Sequence, residues 1–165
     1  MSVDPPKSVT TAAEELRASA TVAELLGATA RAFVEVLDAP ACTISRVIGD
    51  LLVDLVQHHR GGKSNRLGHG YLISDYPLTR TVIETREPHS VYAADPDADP
   101  AETRLLRELG FESLLMLPIE AEEKAWGLVE VYGDDRRFEN ADFEVAKALA
   151  TEVDSVLKQL ARPAL

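Results

Sequence analysis

The most concentrated group of chemically capable residues is the stretch VQHHRGGKSNRLGHGY, residues 56–71. It holds three of the chain's four histidines, four of its nine glycines and a Gly-Gly-Lys-Ser run. Histidine is a common metal ligand, and a glycine-rich loop with lysine and serine is typical of phosphate binding. A metal site, a phosphate-binding loop and a simple turn are therefore the interpretations to separate.

The phosphate-loop interpretation fails on spacing. A P-loop needs Gly-x-x-x-x-Gly-Lys-Ser/Thr between a strand and a helix. Gln57 stands five positions before Gly62, where the first of these glycines is required, and no helical pattern follows. We therefore predict that Gly61-Gly62 forms the tight turn of a β-hairpin.

The strand geometry disfavours the metal interpretation. His58 and His59 are adjacent on a predicted strand, so their side chains leave on opposite faces. When residues are paired outward from the turn, His69 lies opposite Asp54 and not opposite a histidine. This disfavours a shared metal, and we predict no metal site.

Catalytic patterns are also missing from the sequence. The serines lack the glycines of a nucleophile elbow, no HExxH helix exists, and the pair Asp134-Asp135 lies in a predicted solvated loop. Cys42 is the single cysteine and has no partner for a thiol-disulfide cycle. We therefore predict no catalytic residues and no enzymatic activity.

Composition and charge limit the partners. The 165 residues are 45% hydrophobic, which suits one domain with its own core. A net charge of -11 repels nucleic acid and anionic membrane surfaces, and no apolar run is long enough to span a bilayer. The lone cysteine and the absence of a signal sequence at the start predict a cytoplasmic location.

The N-terminal third predicts a flexible segment followed by helix. We expect residues 1–10 to be flexible and residues 11–162 to form a single domain. Thr11 and Thr21 each stand three residues before a glutamate, which is the pattern of an N-terminal capping box. One apolar stripe continues from Leu16 to Leu37, so one bent helix or two successive helices are predicted.

The rest of the chain predicts six strands, two short helices and a long last helix. One short helix begins at Asp75 and Pro77, and the other is capped by Asp99 and ends at Gly110. An apolar stripe starting near Asn140 predicts the long helix. The predicted strands are residues 41–48, 51–59, 64–74, 89–93, 113–119 and 126–133.

Three segments in this order resemble those of a GAF domain, the small-molecule-sensing module of many bacterial signalling proteins. They are DYPLTRTVIETREPHSV, LRELGFESLLMLPI and WGLVEVYGDDRRFENAD, and the resemblance extends from about Thr21 to Leu160. It implies a GAF-like α+β fold, related to PAS and profilin folds, with a six-stranded antiparallel sheet of order 3-2-1-6-5-4. Long N- and C-terminal helices would cover one face, and short helices would cover a pocket on the other.

The resemblance also implies a function. It indicates a non-catalytic sensory or regulatory domain that binds a small-molecule ligand and signals through its terminal helices in a homodimer, with an output domain as a further partner in a longer protein. The resemblance does not specify the ligand or any cofactor. The residues expected to line the ligand pocket are Tyr71, Tyr76, Arg80, Tyr92 and Asp95.

Other functions of related proteins stay open as alternatives. The chain could be a purely structural dimerisation domain with no ligand, built on its two apolar stripes. One branch of the family reduces methionine sulfoxide with paired cysteines, of which only Cys42 is present. Phytochrome-like relatives carry a loop similar to DADP at residues 97–100, but no chromophore-binding cysteine follows Pro100. A haem or redox sensor needs one axial histidine, and the histidine spacing does not favour it.

Overall fold

A computed structural model describes residues 7–61 and 68–161. Within these ranges, a short 3-10 helix, Ile73–Asp75, joins the third strand to the third α-helix. No helix in them combines the length and the apolar character needed to cross a membrane. The elements are α1 (Val9–Arg17), α2 (Val22–Val36), β1 (Ala41–Ile48), β2 (Leu51–His59), β3 (Gly70–Leu72), α3 (Pro77–Thr85), β4 (His89–Tyr92), α4 (Pro100–Leu109), β5 (Ser113–Ala121), β6 (Lys124–Gly133) and α5 (Asn140–Leu160).

The six strands form one antiparallel sheet of order β3-β2-β1-β6-β5-β4, which confirms the predicted α+β fold and strand order. The register between β2 and β3 also agrees with the sequence, because the Asp54 amide donates to the His69 carbonyl at 2.9 Å. Residues 62–67, which include Gly62 of the predicted turn, lie outside the described ranges. Among the described residues, no group of three or more histidine, cysteine or acidic side chains could hold a metal ion.

The sheet separates two hydrophobic cores. The helix-side core lies under α1, α2 and α5, which pack against one another and against the sheet. The pocket-side core lies under α3 and α4 on the opposite face. Because successive side chains of a strand point to opposite faces, Leu115 and Leu117 of β5 enter the first core and Leu114 and Met116 the second.

The two N-terminal helices are separate, and the first begins earlier than predicted. Ser8 is its N-cap, and the Ser8 hydroxyl accepts from the Thr11 amide at 3.1 Å. The prediction of a cap at Thr11 is therefore wrong, because Ser8 offers the same acceptor three residues upstream. The cap at Thr21 is confirmed, since its hydroxyl accepts from the Glu24 amide at 3.1 Å. Residues 1–6 of the predicted flexible segment lie outside the described ranges.

The region between β3 and α3 also differs from the prediction. The described part of the predicted third strand pairs only over β3, and the chain then turns into the 3-10 helix. Asp75 lies in that helix and does not cap α3, whose N-cap Tyr76 makes no capping side-chain bond. The reason is non-local. Asp50 of the β1–β2 turn accepts from the Ser74 amide at 3.0 Å, and its carbonyl accepts from the Ile73 amide at 2.8 Å.

Gly127 of β6 is a position where the fold has no room for a side chain. A Cβ atom there would lie 2.5 Å from the Ser45 carbonyl oxygen on β1. We expect Gly127→Ala to lower the free energy of unfolding by about 2 kcal/mol, because the two central strands must move apart. Gly27 in α2 is the matched control, since a Cβ there meets no atom within 4 Å.

The control substitution Gly27→Ala should stabilise the protein by about 0.5–1 kcal/mol, because alanine loses less conformational freedom than glycine in a helix. Urea denaturation followed by circular dichroism measures both variants. Equal stability of the two alanine variants would contradict the close approach of β1 and β6 at Gly127.

Candidate functional site

A small, partly open cavity of about 20 Å³ lies between the pocket side of the sheet and helices α3 and α4. This space holds about one water molecule. Its wall combines acidic, aromatic and aliphatic side chains from strands on both halves of the sheet and from both short helices. The lining residues are Leu52, Asp54, Tyr71, Tyr76, Thr79, Glu102, Leu105, Glu130 and Tyr132.

Asp54 is placed in the wall by the pairing of β2 with β1. It lies directly opposite Ser45, whose hydroxyl donates to Asp54 Oδ1 at 2.7 Å. The register shifts at this point, because Ile44 pairs with Val56 and leaves Leu55 as an extra residue in a β-bulge. The bulge lets Leu55 and Val56 both pack on the helix-side core while Asp54 stays on the cavity side.

Glu130 lies near the centre of the sheet, on β6 opposite Thr43 of β1. It is 6% exposed, and the Tyr132 hydroxyl donates to its Oε2 at 3.3 Å. Burial, reinforced by the charges of Glu102 and Asp54, raises the pKa of Glu130 well above its ordinary value. The shift favours the neutral form of this carboxyl.

Glu102 reaches the cavity from the first turn of α4. It is 1% exposed, and the Thr79 hydroxyl of α3 donates to its Oε1 at 2.5 Å. Burial raises the pKa of Glu102 to about 7, although the hydrogen bond from Thr79 acts in the opposite direction. This bond also ties the two short helices together over the cavity.

Two of the predicted pocket residues line the cavity, and a third does not. Tyr71 and Tyr76 are in its wall, with their rings edge to face and their centroids 5.9 Å apart. Arg80 lies on the exposed side of α3, where its Nε is 3.1 Å from Glu84 Oε1. The structure therefore brings together the two tyrosines and leaves Arg80 outside.

The other two predicted residues form a separate surface cluster. Arg137 donates to both oxygens of Asp95 at 2.6 Å, and its guanidinium lies 4.5 Å from the Tyr92 ring centroid. The Tyr92 hydroxyl donates to Asp135 at 2.9 Å. The hydrogen bonds from Arg137 lower the pKa of Asp95. Asp95 also lines an open cleft of about 680 Å³ beside α4. Neither Tyr92 nor Asp95 is among the residues that line the small cavity.

The sequence prediction missed the acidic residues of the cavity, namely Asp54, Glu102 and Glu130. Two of them carried a signal, because each is a lone acid in an otherwise apolar strand, in LLVDLV and in GLVEVY. A charged residue at an inward position of such a strand is buried and needs a partner. Glu102 carried no separate signal, since an acid at the third helical position is a normal capping residue.

The chemistry of this wall suits binding. Carboxyl and phenol groups donate and accept hydrogen bonds, and tyrosine rings offer flat apolar and π surfaces. Cys42, the single thiol, lies on the helix-side core and is fully buried. Burial raises the pKa of the Cys42 thiol well above its ordinary value, so the reactive thiolate is disfavoured.

Solved structures with the same fold include chromophore-binding domains of bacteriophytochromes. JSC1_58120g3 with bound biliverdin IXa has a TM-score of 0.80 and 13% identity, with 94% of this chain and 100% of that chain covered. The chromophore-binding domain of the Stigmatella aurantiaca bacteriophytochrome has a TM-score of 0.77 and 15% identity, and the match covers 90% of this chain and 58% of that chain. The chromophore-binding domain of RpBphP3 from R. palustris has a TM-score of 0.78 and 12% identity, and the match covers 92% of this chain and 59% of that chain. This chain thus spans under two thirds of the last two chains, and at these identities the likeness shows the fold.

Comparison by sequence identifies the family. No curated protein matches the chain. The GAF domain family, by contrast, matches residues 21–157, which is most of the sequence and covers the region from α2 to near the end of α5. The chain therefore belongs to the GAF domain family.

Proposed function

We propose that this domain is a non-catalytic sensor that binds a small molecule between the sheet and helices α3 and α4. The observation that carries the proposal is the cavity at this place, whose wall holds several polar side chains inside the core. Buried polar groups around a cavity are typical of a site that orients a ligand. Two structural neighbours, a bacteriophytochrome chromophore-binding domain and JSC1_58120g3 with bound biliverdin IXa, support ligand binding by this fold.

The proposal includes a signalling route and a cellular setting. Helices α1, α2 and α5 pack together on the face away from the cavity. They offer a surface through which a homodimer would transmit the bound state to an output domain. We further propose that the protein acts in the cytoplasm of a bacterium, where its single thiol stays reduced.

A tetrapyrrole is a poor candidate for the ligand. The cavity holds about one water molecule, and Cys42 lies across the sheet from it, so the thiol cannot reach a chromophore there. The small volume instead favours either a compact ligand or the second candidate function, a structural dimerisation domain whose pocket is closed.

Native mass spectrometry and a thermal-shift screen separate these two functions. We expect a retained or added small molecule to stabilise the domain, by about 2.7 kcal/mol at a concentration 100 times its Kd. Leu105→Phe, which adds volume at the cavity wall, should abolish the effect, and Leu72→Phe on the exposed edge should preserve it. If no compound in a broad screen of amino acids, nucleotides and metabolites raises Tm, the structural function is favoured.

The oligomeric state is tested independently. Sedimentation equilibrium at micromolar concentration should give the mass of a dimer if the terminal helices associate. A monomer under these conditions would remove the homodimer from the proposal and leave ligand binding untouched.

A further inference from the structure

Helix α4 is fastened to the fold by few buried side chains. Only two of its residues are buried, namely Glu102 and Leu106, whereas α5 buries six residues that are all apolar. The other residues of α4 are half-buried or exposed. Elements with few buried apolar contacts open at a lower free energy than the rest of a domain. One of the two anchors of α4 is also a carboxyl, a group that is rarely buried without a partner.

The carboxyl of Glu102 lies where α4 meets α3 and the sheet. The Thr79 hydroxyl of α3 donates to Glu102 Oε1 at 2.5 Å, and Thr79 Oγ1 also lies 3.5 Å from Met116 Sδ of β5. Thr79 is itself buried. The first turn of α4 is therefore held in place through a side chain whose charge depends on pH.

The acidic groups around Glu102 disfavour its ionised form. Asp54 of β2 and Glu130 of β6 lie in the same cavity wall, and Asp99 is the N-cap of α4. Asp54 accepts a hydrogen bond from the Ser45 hydroxyl, and Glu130 accepts one from the Tyr132 hydroxyl. The other titratable side chains of the wall are the phenols of Tyr71, Tyr76 and Tyr132.

Basic groups on the neighbouring helices and strands lie outside this wall. Arg104 and Arg107 occupy exposed positions of α4, and Arg80 is exposed on α3. His89 of β4 is half-buried and lies opposite a residue of β5. None of these four side chains lines the cavity. A negative charge on Glu102 would thus face acidic and phenolic groups across the cavity.

Water is the remaining means of stabilising that charge. Removing the proton from a buried carboxyl costs free energy, which hydration recovers. The cavity holds about one water molecule, so full hydration requires the first turn of α4 to move outward. Leu106, one turn further along, can stay in the pocket-side core during this movement.

We propose that α4 is a proton-controlled lid: when Glu102 loses its proton, the first turn of the helix moves away from Thr79, pivoting about Leu106, and the cavity opens to water. The closed form binds the proton more tightly than the open form, in which Glu102 is hydrated. The open population therefore rises with pH. Burial raises the pKa of Glu102 to about 7, which supports a change near neutral pH.

Native-state hydrogen exchange followed by mass spectrometry tests the lid. Exchange is measured between pH 5 and pH 8 in low concentrations of urea and corrected for the intrinsic rates. We expect amides of α4 to exchange faster than those of α5 and with little dependence on urea, because a local opening exposes little surface. Their protection should fall about tenfold or more between pH 5 and pH 8. Equal exchange and equal urea dependence in α4 and α5 would overturn the lid.

Variants assign the change to Glu102. Glu102→Gln should keep the protection of α4 nearly constant with pH. Glu108→Gln, at an exposed position of α4, and His89→Gln should both keep the parent's pH dependence. The histidine control is needed because histidines ordinarily titrate in this range. A parent-like pH dependence in Glu102→Gln, or its loss in His89→Gln, would overturn the assignment.

Thr79→Val is the second variant should Glu102→Gln fail to fold. It removes the hydroxyl that holds Glu102 and should lower the protection of α4 at pH 5, while α5 keeps the parent's protection. Unchanged protection of α4 would contradict the lid. Circular dichroism confirms the fold of each variant. The lid requires no ligand, so a screen in which nothing binds removes the proposed sensor and leaves the lid, and the exchange results decide the lid alone.

Discussion

The free energy of unfolding should fall by about 3 kcal/mol or more as the pH rises from about 5 to about 8, and Glu102 should account for much of this loss. The pKa of Glu102 is about 7 in the folded protein, against an ordinary value of 4.5. Between these values the folded state binds more protons than the unfolded state. Stability is therefore fully present below the lower pKa and is lost as the pH rises through the higher one.

Two other buried acidic groups also lower the free energy of unfolding as the pH rises. Burial also raises the pKa of Asp154 on α5 to about 7, and the pKa of Glu130 well above its ordinary value. The charge of Asp99, the N-cap of α4, raises the pKa of Glu102, and the charge of Glu102 raises that of Glu130 across the cavity. The wild-type protein alone therefore reports their sum.

The variant Glu102→Gln isolates the contribution of one group. It should make the decline between pH 5 and pH 8 smaller by about 3 kcal/mol, and at pH 8 it should be the more stable protein. Glu108→Gln, at an exposed position of the same helix, is the matched control and should keep the parent's pH dependence. Urea denaturation at several pH values measures all three proteins. If the free energy of unfolding varied with pH in the same way for Glu102→Gln and the parent, ionisation of Glu102 would have little effect on stability.

A second large effect is expected from the helix-side core. Phe33 of α2 is completely buried there among residues of the sheet and of α5. Phe33→Ala should lower the free energy of unfolding by about 3–5 kcal/mol, because it removes buried apolar surface and leaves a cavity. That is a large share of the stability of an ordinary domain.

An exposed apolar residue provides the comparison. Leu72 of β3 is 51% exposed, so Leu72→Ala should cost about 1 kcal/mol or less. Chemical denaturation of both variants at one pH gives the difference directly. If Phe33→Ala lowered the free energy of unfolding no more than Leu72→Ala, the core under α2 would have to collapse into the space left by the ring.

Local signals sufficed for much of the fold. The bounds of β1 and β2 agree with the prediction because Gly49-Asp50 separates two apolar runs and fixes where each ends. Asp99 and Gly110 mark the ends of α4 for the same kind of reason, since the first accepts from the Glu102 amide at 3.0 Å and the second has φ of 85°. In each case a few adjacent residues determine the boundary.

The errors lie where distant contacts decide. The 3-10 helix after β3 depends on Asp50, about twenty residues earlier in the chain, and no pattern within the segment reveals that partner. Likewise, the cluster that Tyr92 and Asp95 form with Arg137 joins segments that are distant in sequence. Neither interaction follows from periodicity or turn chemistry.

The sequence predicted the tyrosines of the candidate site but not its acidic residues, because the burial of the acidic residues depends on distant contacts. Tyr71 and Tyr76 followed from the position of the short helices in the family, which the resemblance supplied. The burial of Glu130 depends on strand pairing with β1, some ninety residues away in sequence, and that of Glu102 on its bond to Thr79. A lone acid within an apolar strand is nevertheless a usable signal for buried sites.

The alternation of side chains along β5 has a mechanical consequence. Leu114 and Leu115 are neighbours in sequence but belong to opposite cores, so the two faces share a backbone and little else. On the far face, Asp154 of α5 accepts from the Glu120 amide at 2.9 Å and fastens that helix to the end of the strand. Because the two faces share the backbone of β5, a sensor that signals through its terminal helices would have to transmit a displacement of α4 to α5 by bending the sheet.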